Sequence, residues 1–342
     1  MYALATTLPF LVCLVWAAIL LLQLKGADRA HRALAAFAVV TTLLYFCHYL
    51  HFNGLQSRFS ESLYYFCNLS VYPLFGLYVK CLTGKAAPHW GHALWFVPSV
   101  AVFVCSLCGV NVQGASQVLF PIVVVAASII AGYDLSRFRA SVNNYYSNPA
   151  DKRLDPLLVL LVLLLVTAMS SFTVNLLGRE HFMGENTLMV PSLFFSVLLF
   201  SIFYFGEKTE LPLEEVRVGE EGQDVASEAD TNSQAALMEK IRALMQDQQL
   251  FRSKGLTVMD LAEAVGSNRT YVSSCINKLT GESFSAYVNS WRIRYARLLM
   301  EEKPSRPLSE VADLAGFSDR VSFYRSFKKI TGKSPSEWMG GV

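Results

Sequence analysis

Charge is what this chain lacks most. Asp, Glu, Lys and Arg make up 16% of its 342 residues, where an ordinary soluble domain carries about 25%. With 53% hydrophobic residues, that shortage excludes a single soluble domain as the whole answer. No charged residue precedes the first apolar run, Ala3–Leu24, and Lys25, Arg29 and Arg32 follow it. That is the wrong layout for a cleavable secretory signal. No HExxH, GxSxG or Walker A pattern occurs, so those hydrolase and nucleotide-binding signatures are missing. Cysteine is odd in number, at seven, which is no closed disulfide framework. Six of them (Cys13, Cys47, Cys67, Cys81, Cys105 and Cys108) lie in the apolar half and read as small hydrophobes in helix packing.

The charge that is present is unevenly spread. Residues 1–206 carry 11 Lys/Arg and 7 Asp/Glu, residues 207–233 carry 2 and 9, and residues 234–342 carry 16 and 11. The nets of +4, −7 and +5 hide behind an overall +2, so distribution rather than total is the informative quantity.

Apolar runs recur at Ala3–Leu24, Ala33–Phe52, Ser62–Leu82, Leu94–Val110, Gln117–Leu135, Pro156–Leu177 and Leu188–Gly206. Each approaches the roughly 20 residues needed to cross about 30 Å of hydrocarbon. Backbone groups in lipid must pair internally, so the runs are expected to be helices. Basic residues gather in alternate loops: Lys25, Arg29 and Arg32; Lys85; then Arg137, Arg139, Lys152 and Arg153. The positive-inside bias makes those loops cytoplasmic. Seven spans then place the N-terminus outside and the C-terminus in the cytoplasm, an inner-membrane multi-pass layout.

Polar residues within the runs are few. Asn68, Asn175 and His48 lie toward the outer ends and are candidate linings of an outward-facing ligand pocket. Pro73, Pro98, Pro121 and Pro191 are expected to interrupt four helices. His48, His51 and His181 fall at one depth and could hold a Zn²⁺. An alternative reading is therefore a seven-helix metal-dependent hydrolase, set against histidines that simply sit at the interface without metal. No metal and no cofactor is the expectation kept.

Residues 207–233 are acidic and poor in apolar side chains, the composition of a disordered tether. Residues 234–342 contain a repeat of about 50 residues. Its first copy runs Asp260–Gly281 and its second Glu310–Trp338. Each has a short helix with a small alanine (Ala262, Ala312), then a glycine suited to a helix C-terminus (Gly266, Gly316). Each resumes at a capping residue, Asn268 or Asp319. A positioning helix, a tight turn and a second helix make helix-turn-helix logic. Phe284–Met300 reads as the helix joining the copies, and Ala235–Phe251 as one preceding them.

The run Gly316-Phe317 to Pro335-Ser336-Glu337-Trp338, with Ala262, Gly281, Phe284, Arg292, Ala296 and Leu299, resembles the AraC/XylS family of transcription regulators. It is similar in particular to membrane-tethered members in which seven helices precede the DNA reader. The resemblance implies two helix-turn-helices reading adjacent major-groove segments. It places base-facing positions at Arg269, Thr270, Ser273 and Ser274, and at Arg320, Val321, Ser322 and Arg325. It makes Lys278, Arg292, Lys328, Lys329 and Lys333 phosphate contacts. Cys275-Ile276-Asn277 departs from the family's usual aromatic followed by basic residues.

The expectation is thus an all-α protein with three regions. Residues 1–206 form a seven-helix transmembrane sensor bundle and 207–233 an acidic linker. Residues 234–342 form a cytoplasmic all-α domain with two helix-turn-helices. The function expected is non-enzymatic, sequence-specific DNA binding coupled to a signal sensed in the membrane. Expected partners are double-stranded DNA, the lipid bilayer, RNA polymerase, a small-molecule or membrane signal, and a second copy of the chain. A membrane-anchored interaction protein that no longer reads DNA remains a rival, and so does release of residues 234–342 by proteolysis.

Overall fold

The computed structural model describes residues 2–84, 90–149, 155–177, 185–208 and 231–340. The chain divides into two compact units, Met1–Ser136 with Leu154–Leu211, and Arg137–Arg153 with Pro212–Val342. Among the described residues there is no β-strand, only an isolated antiparallel bridge between Tyr146 and Thr257. The all-α class follows.

In the first unit, helices stand where the apolar runs predicted them: α1 (Tyr2–Leu22), α2 (Arg29–Phe52), α3 (Arg58–Leu82), α4 (Val97–Leu107), α5 (Gln113–Tyr145, whose residues from Arg137 on belong to the second unit), α6 (Asp155–Leu177) and α7 (Glu185–Lys208). Side chains cap them at polar starts. Asp28 accepts from the His31 amide at α2, and Ser57 and Ser60 form a reciprocal capping box at α3, satisfying donors that a helix start leaves unpaired. Aromatic rings join the helices inside. Phe37 of α2 lies 5.7 Å from Phe75 of α3 and 5.6 Å from Phe203 of α7. The buried hydroxyls of Ser62 and Ser106 hydrogen-bond at 2.8 Å between α3 and α4.

Two expectations about these helices need correction. The fourth run is a 3-10 turn, Trp90–Phe96, followed by only 11 residues of α-helix. At 1.5 Å per residue α4 covers about 16 Å, half of a bilayer core. Pro98 does not interrupt it but sits in its first turn, where a missing N–H costs nothing. The fifth run does not stop at Leu135. Residues 133–145 contain neither Pro nor Gly, and α5 continues for 33 residues to Tyr145, carrying Arg137 and Arg139 on a helix rather than in a loop.

By length and apolarity, two described helices are able to cross a membrane, Arg29–Phe52 and Gln113–Tyr145; the other apolar stretches there are shorter. Of the seven expected spans, two meet the requirement over their described residues. Even so, α5 exposes Val118, Ile122, Val125, Ile129 and Tyr133, between 41% and 66% accessible, at helical spacing along one face. Continuous exposed apolar surface of this kind is unfavourable in water.

In the second unit, α8 (Thr231–Gln246) starts inside the stretch expected to be linker, and residues 209–230 of that stretch lie outside the described residues. After a 3-10 turn at Leu250–Arg252 follow α9 (Val258–Val265), α10 (Arg269–Thr280), α11 (Phe284–Glu302), α12 (Leu308–Leu314), α13 (Arg320–Thr331) and α14 (Pro335–Met339). Two hydrophobic cores share α11. Its first half buries Phe284, Tyr287 and Val288 with α8, α9 and α10; its second half buries Ile293, Ala296, Leu299 and Met300 with α12 and α13. A fully buried Phe, such as Phe323 or Phe327, contributes about 2–3 kcal/mol of hydrophobic stabilisation. The linking helix is thus the spine onto which both copies of the repeat are packed.

Candidate nucleic-acid interface

The repeat folds twice into the same local structure. At the end of the first positioning helix, α9, the Ser267 amide donates to Ala262 O at 2.9 Å; at the end of α12, the Phe317 amide donates to Ala312 O at 3.0 Å. These are equivalent six-to-one closures of a helix C-terminus. Gly266 and Gly316 take φ of +66° and +85° there. At Gly316 a Cβ would stand 2.6 Å from Arg252 O, so glycine is required by both conformation and space.

Each recognition helix then starts from a side-chain cap. Asn268 accepts from the Tyr271 amide at 2.7 Å, and Asp319 from the Ser322 amide at 2.7 Å. Each ends at a glycine in the left-handed region, Gly281 or Gly332. Burial pushes the Asp319 carboxyl up, but hydrogen bonds from Ser322, Asn148 and the Val321 amide outweigh it and hold the group below the usual carboxylate range.

The first two turns of α13 present Arg320, Val321 and Arg325 to solvent, with Val321 64% accessible. The Arg320 guanidinium lies 5.1 Å over the Tyr324 ring and donates to its hydroxyl at 3.0 Å. The Ser336 hydroxyl and Arg320 together hold the Tyr324 phenol below its ordinary range. That stack orients one cation of the face, and sequence reasoning missed Tyr324; an aromatic four residues after an arginine on a helix was the available signal. On α10, Arg269, Thr270, Ser273 and Ser274 are half-buried. Lys278, Lys328, Lys329 and Lys333 are exposed, as phosphate contacts require.

Two assigned residues are placed elsewhere. Ser322 is buried, and its hydroxyl donates to Asp319 Oδ2 at 2.7 Å; it completes the helix cap and offers no free group to a base. Arg292, expected on phosphate, is 0% accessible. Its Nε donates to Phe251 O at 2.7 Å and its Nη2 to Ser253 O at 2.9 Å and Ser147 Oγ at 3.2 Å. Burial lowers its pKa to about 10, so it stays charged at neutral pH as an internal tie. Cys275, in the departure from the family pattern, is buried with Sγ 3.2 Å from Gln234 O of α8. The small thiol fits where α8 crosses the recognition helix.

Of the candidate pocket residues of the first unit, the side chains of Asn68 and His48 are among those described. Asn68 is half-buried on α3. His48 packs among rings, edge-on to Tyr64 at 5.1 Å and beside Tyr45 and Phe52. The Asn175 side chain and His181 lie outside the described residues. His51 Nδ1 is 2.6 Å from Gln56 Oε1. Among the described residues no group of His, Cys, Asp or Glu is arranged to hold a metal; the hydrolase reading also needs His181, which lies outside them.

This geometry defines a double helix-turn-helix domain. Residues 261–340 match the family described as Helix-turn-helix domain. Among similar curated proteins, the Msm operon regulatory protein of Streptococcus mutans is 28% identical over 111 residues, 32% of this chain and 38% of that protein. The melibiose operon regulatory protein of Escherichia coli K12 is 28% identical over 85 residues, 25% of this chain and 28% of its own length. The uncharacterized transcriptional regulatory protein YesN of Bacillus subtilis is 36% identical over 72 residues, 21% of this chain and 20% of that protein. The chain thus spans well under half of these relatives, and no solved structure matches it. Together the domain match and the named relatives point to a non-enzymatic DNA-binding regulator.

Proposed function

We propose that the protein is a sequence-specific transcription regulator of AraC/XylS type, anchored in the membrane by its N-terminal unit. The observation that carries DNA reading is the pair of equivalently capped recognition helices, with Arg320, Val321 and Arg325 exposed on the second. Arg can bind guanine bidentately and Val can meet a thymine methyl. The two helices would enter successive major-groove segments, with Lys278, Lys328, Lys329 and Lys333 on phosphates. RNA polymerase and a second copy of the chain are the partners such a regulator would use.

Anchoring is supported by the exposed apolar face of α5 and by the length of α2 and α5. The reading places the arginines at the end of α5 on the cytoplasmic side. A signal in the N-terminal unit would act by favouring one arrangement of its helices, which needs differential affinity of a few kcal/mol.

The test is genome-wide DNA crosslinking of the intact protein in its native cell, beside Arg320→Ala/Arg325→Ala. Sharp peaks that vanish in the variant support the reading. An intact chain that gives no peaks rejects DNA reading. Carbonate extraction of the same cells tests anchoring: a chain recovered in the soluble fraction rejects it.

A further inference from the structure

The end of α5 is built into the DNA reader. Tyr145 is 9% accessible and lies in the core of the first helix-turn-helix, with Tyr146 packed against that core. Tyr146 bridges Thr257 in antiparallel fashion, and Thr257 is the cap of α9. Ser147 is fully buried. Its amide donates to Leu256 O at 2.9 Å. Its carbonyl accepts from Ser285 Oγ at 3.3 Å and Asn289 Nδ2 at 3.4 Å, both on α11. Its hydroxyl accepts from Arg292. One residue further, Asn148 Nδ2 donates to Asp319 Oδ2 at 3.4 Å, on the carboxylate that caps the second recognition helix.

Four consecutive residues therefore touch the first positioning helix, the linking helix and the cap of the second recognition helix. Each peptide group of Ser147 is satisfied by the reader, as a buried backbone must be. A chain segment that merely passed by would keep its polar groups on water.

We propose that residues 145–148 are a regulatory strap: docked, they hold the two helix-turn-helices in the register that grips DNA, and their release loosens it. This rests on the DNA-binding reading above. The strap bonds cap and core atoms and leaves the Asp319 Oδ1 that receives the Ser322 amide in place, so docking supports the recognition helix. Two readers held in fixed register bind as one ligand of high effective concentration; unlinked in orientation, the second adds little. Because the strap begins at Tyr145, the last residue of α5, displacing the end of that helix is the route by which binding is turned down.

The test uses the full chain in detergent. Ser147→Pro removes the amide that bonds Leu256. Tyr146→Cys/Thr257→Cys, with the exposed Cys105 and Cys108 changed to Ser, locks the strap on oxidation, since directly bridged antiparallel partners lie within disulfide reach. Amide exchange in the first turn of α13 reads docking without DNA. Affinity is read on duplexes selected from random sequence by the wild-type chain, as full sites and as half-sites.

Ser147→Pro is expected to speed that exchange and to weaken full-site binding roughly tenfold, half-site binding less than about twofold. The oxidised pair is expected to bind full sites at least as tightly as its reduced form. Unchanged exchange and full-site affinity in Ser147→Pro would overturn the strap. So would an oxidised pair that binds more weakly than the reduced one, which makes the contact inhibitory. If Ser147→Pro abolishes the cooperative melt, the oxidised and reduced forms decide. If the wild-type chain selects no duplex, the DNA-binding reading fails, and the exchange measurement still judges the strap.

Discussion

The Arg292 guanidinium lies 5.6 Å from the centre of the Phe317 ring, so the buried cation of the linking helix is packed against the turn of the second helix-turn-helix. The same side chain holds Phe251 O and Ser253 O ahead of the first. One arginine thus ties both halves of the reader to their spine, which is why its burial is tolerated despite the cost of desolvating a charge.

Arg292→Met should remove the donors and leave the buried Phe251 carbonyl unpaired. The expected loss is roughly 3 kcal/mol or more in urea melting of the reader transition. Arg292→Lys should also lower the melt, yet leave the salt dependence of DNA affinity unaltered. Lys328→Gln or Lys333→Gln should do the reverse, reducing the salt slope by about one each with sequence preference unchanged.

The two turn glycines should differ in tolerance. Gly266→Ala meets open space, and its penalty is the left-handed backbone alone, about 1 kcal/mol. Gly316→Ala adds a contact of 2.6 Å with the Arg252 backbone and should cost several times that, on the order of 3 kcal/mol or more. Equal melting temperatures for the two variants would contradict the close approach.

The recognition helix should separate reading from folding. Arg320→Ala or Arg325→Ala should weaken specific DNA binding by about 1–3 kcal/mol and relax preference at one base pair. Ser322→Ala should leave the selected sequence unchanged and lower stability by about 1 kcal/mol, since it removes a hydrogen bond to the cap. A shifted base preference in Ser322→Ala would put that hydroxyl back on the DNA face.

Acid should act through Asp319. Its folded carboxyl sits below the ordinary range, so its contribution is complete above about pH 3.9 and is lost as pH falls through the lowered value. Urea stability measured against pH should show this acid limb flattened in Asp319→Asn. At neutral pH, Asp319→Ala should cost about 1 kcal/mol, and Asp319→Asn less, because an amide oxygen still caps the helix.

Much of the reader was legible in the chain. Local chemistry sets glycines, caps and alternating apolar positions, so both helix-turn-helices and the linking helix could be located from Gly266, Gly316, Asn268 and Asp319. The apolar runs likewise marked where helices would form, since their continuity is itself the signal. Less legible was where a helix ends without a breaker, as at α5, because tertiary contacts at Tyr145 and Ser147 decide it.

The sequence by itself determined the kinds of elements and their order, through propensity, capping and apolar length, all of which act within a few residues. Only the tertiary structure decided that Arg292 is an internal tie and not a phosphate contact, and that Ser322 belongs to a cap. It alone brought Tyr145–Asn148 into the reader's core, 109 positions before Leu256 meets Ser147. Burial and long-range hydrogen bonds depend on which surfaces meet, and no local pattern of residues encodes that meeting.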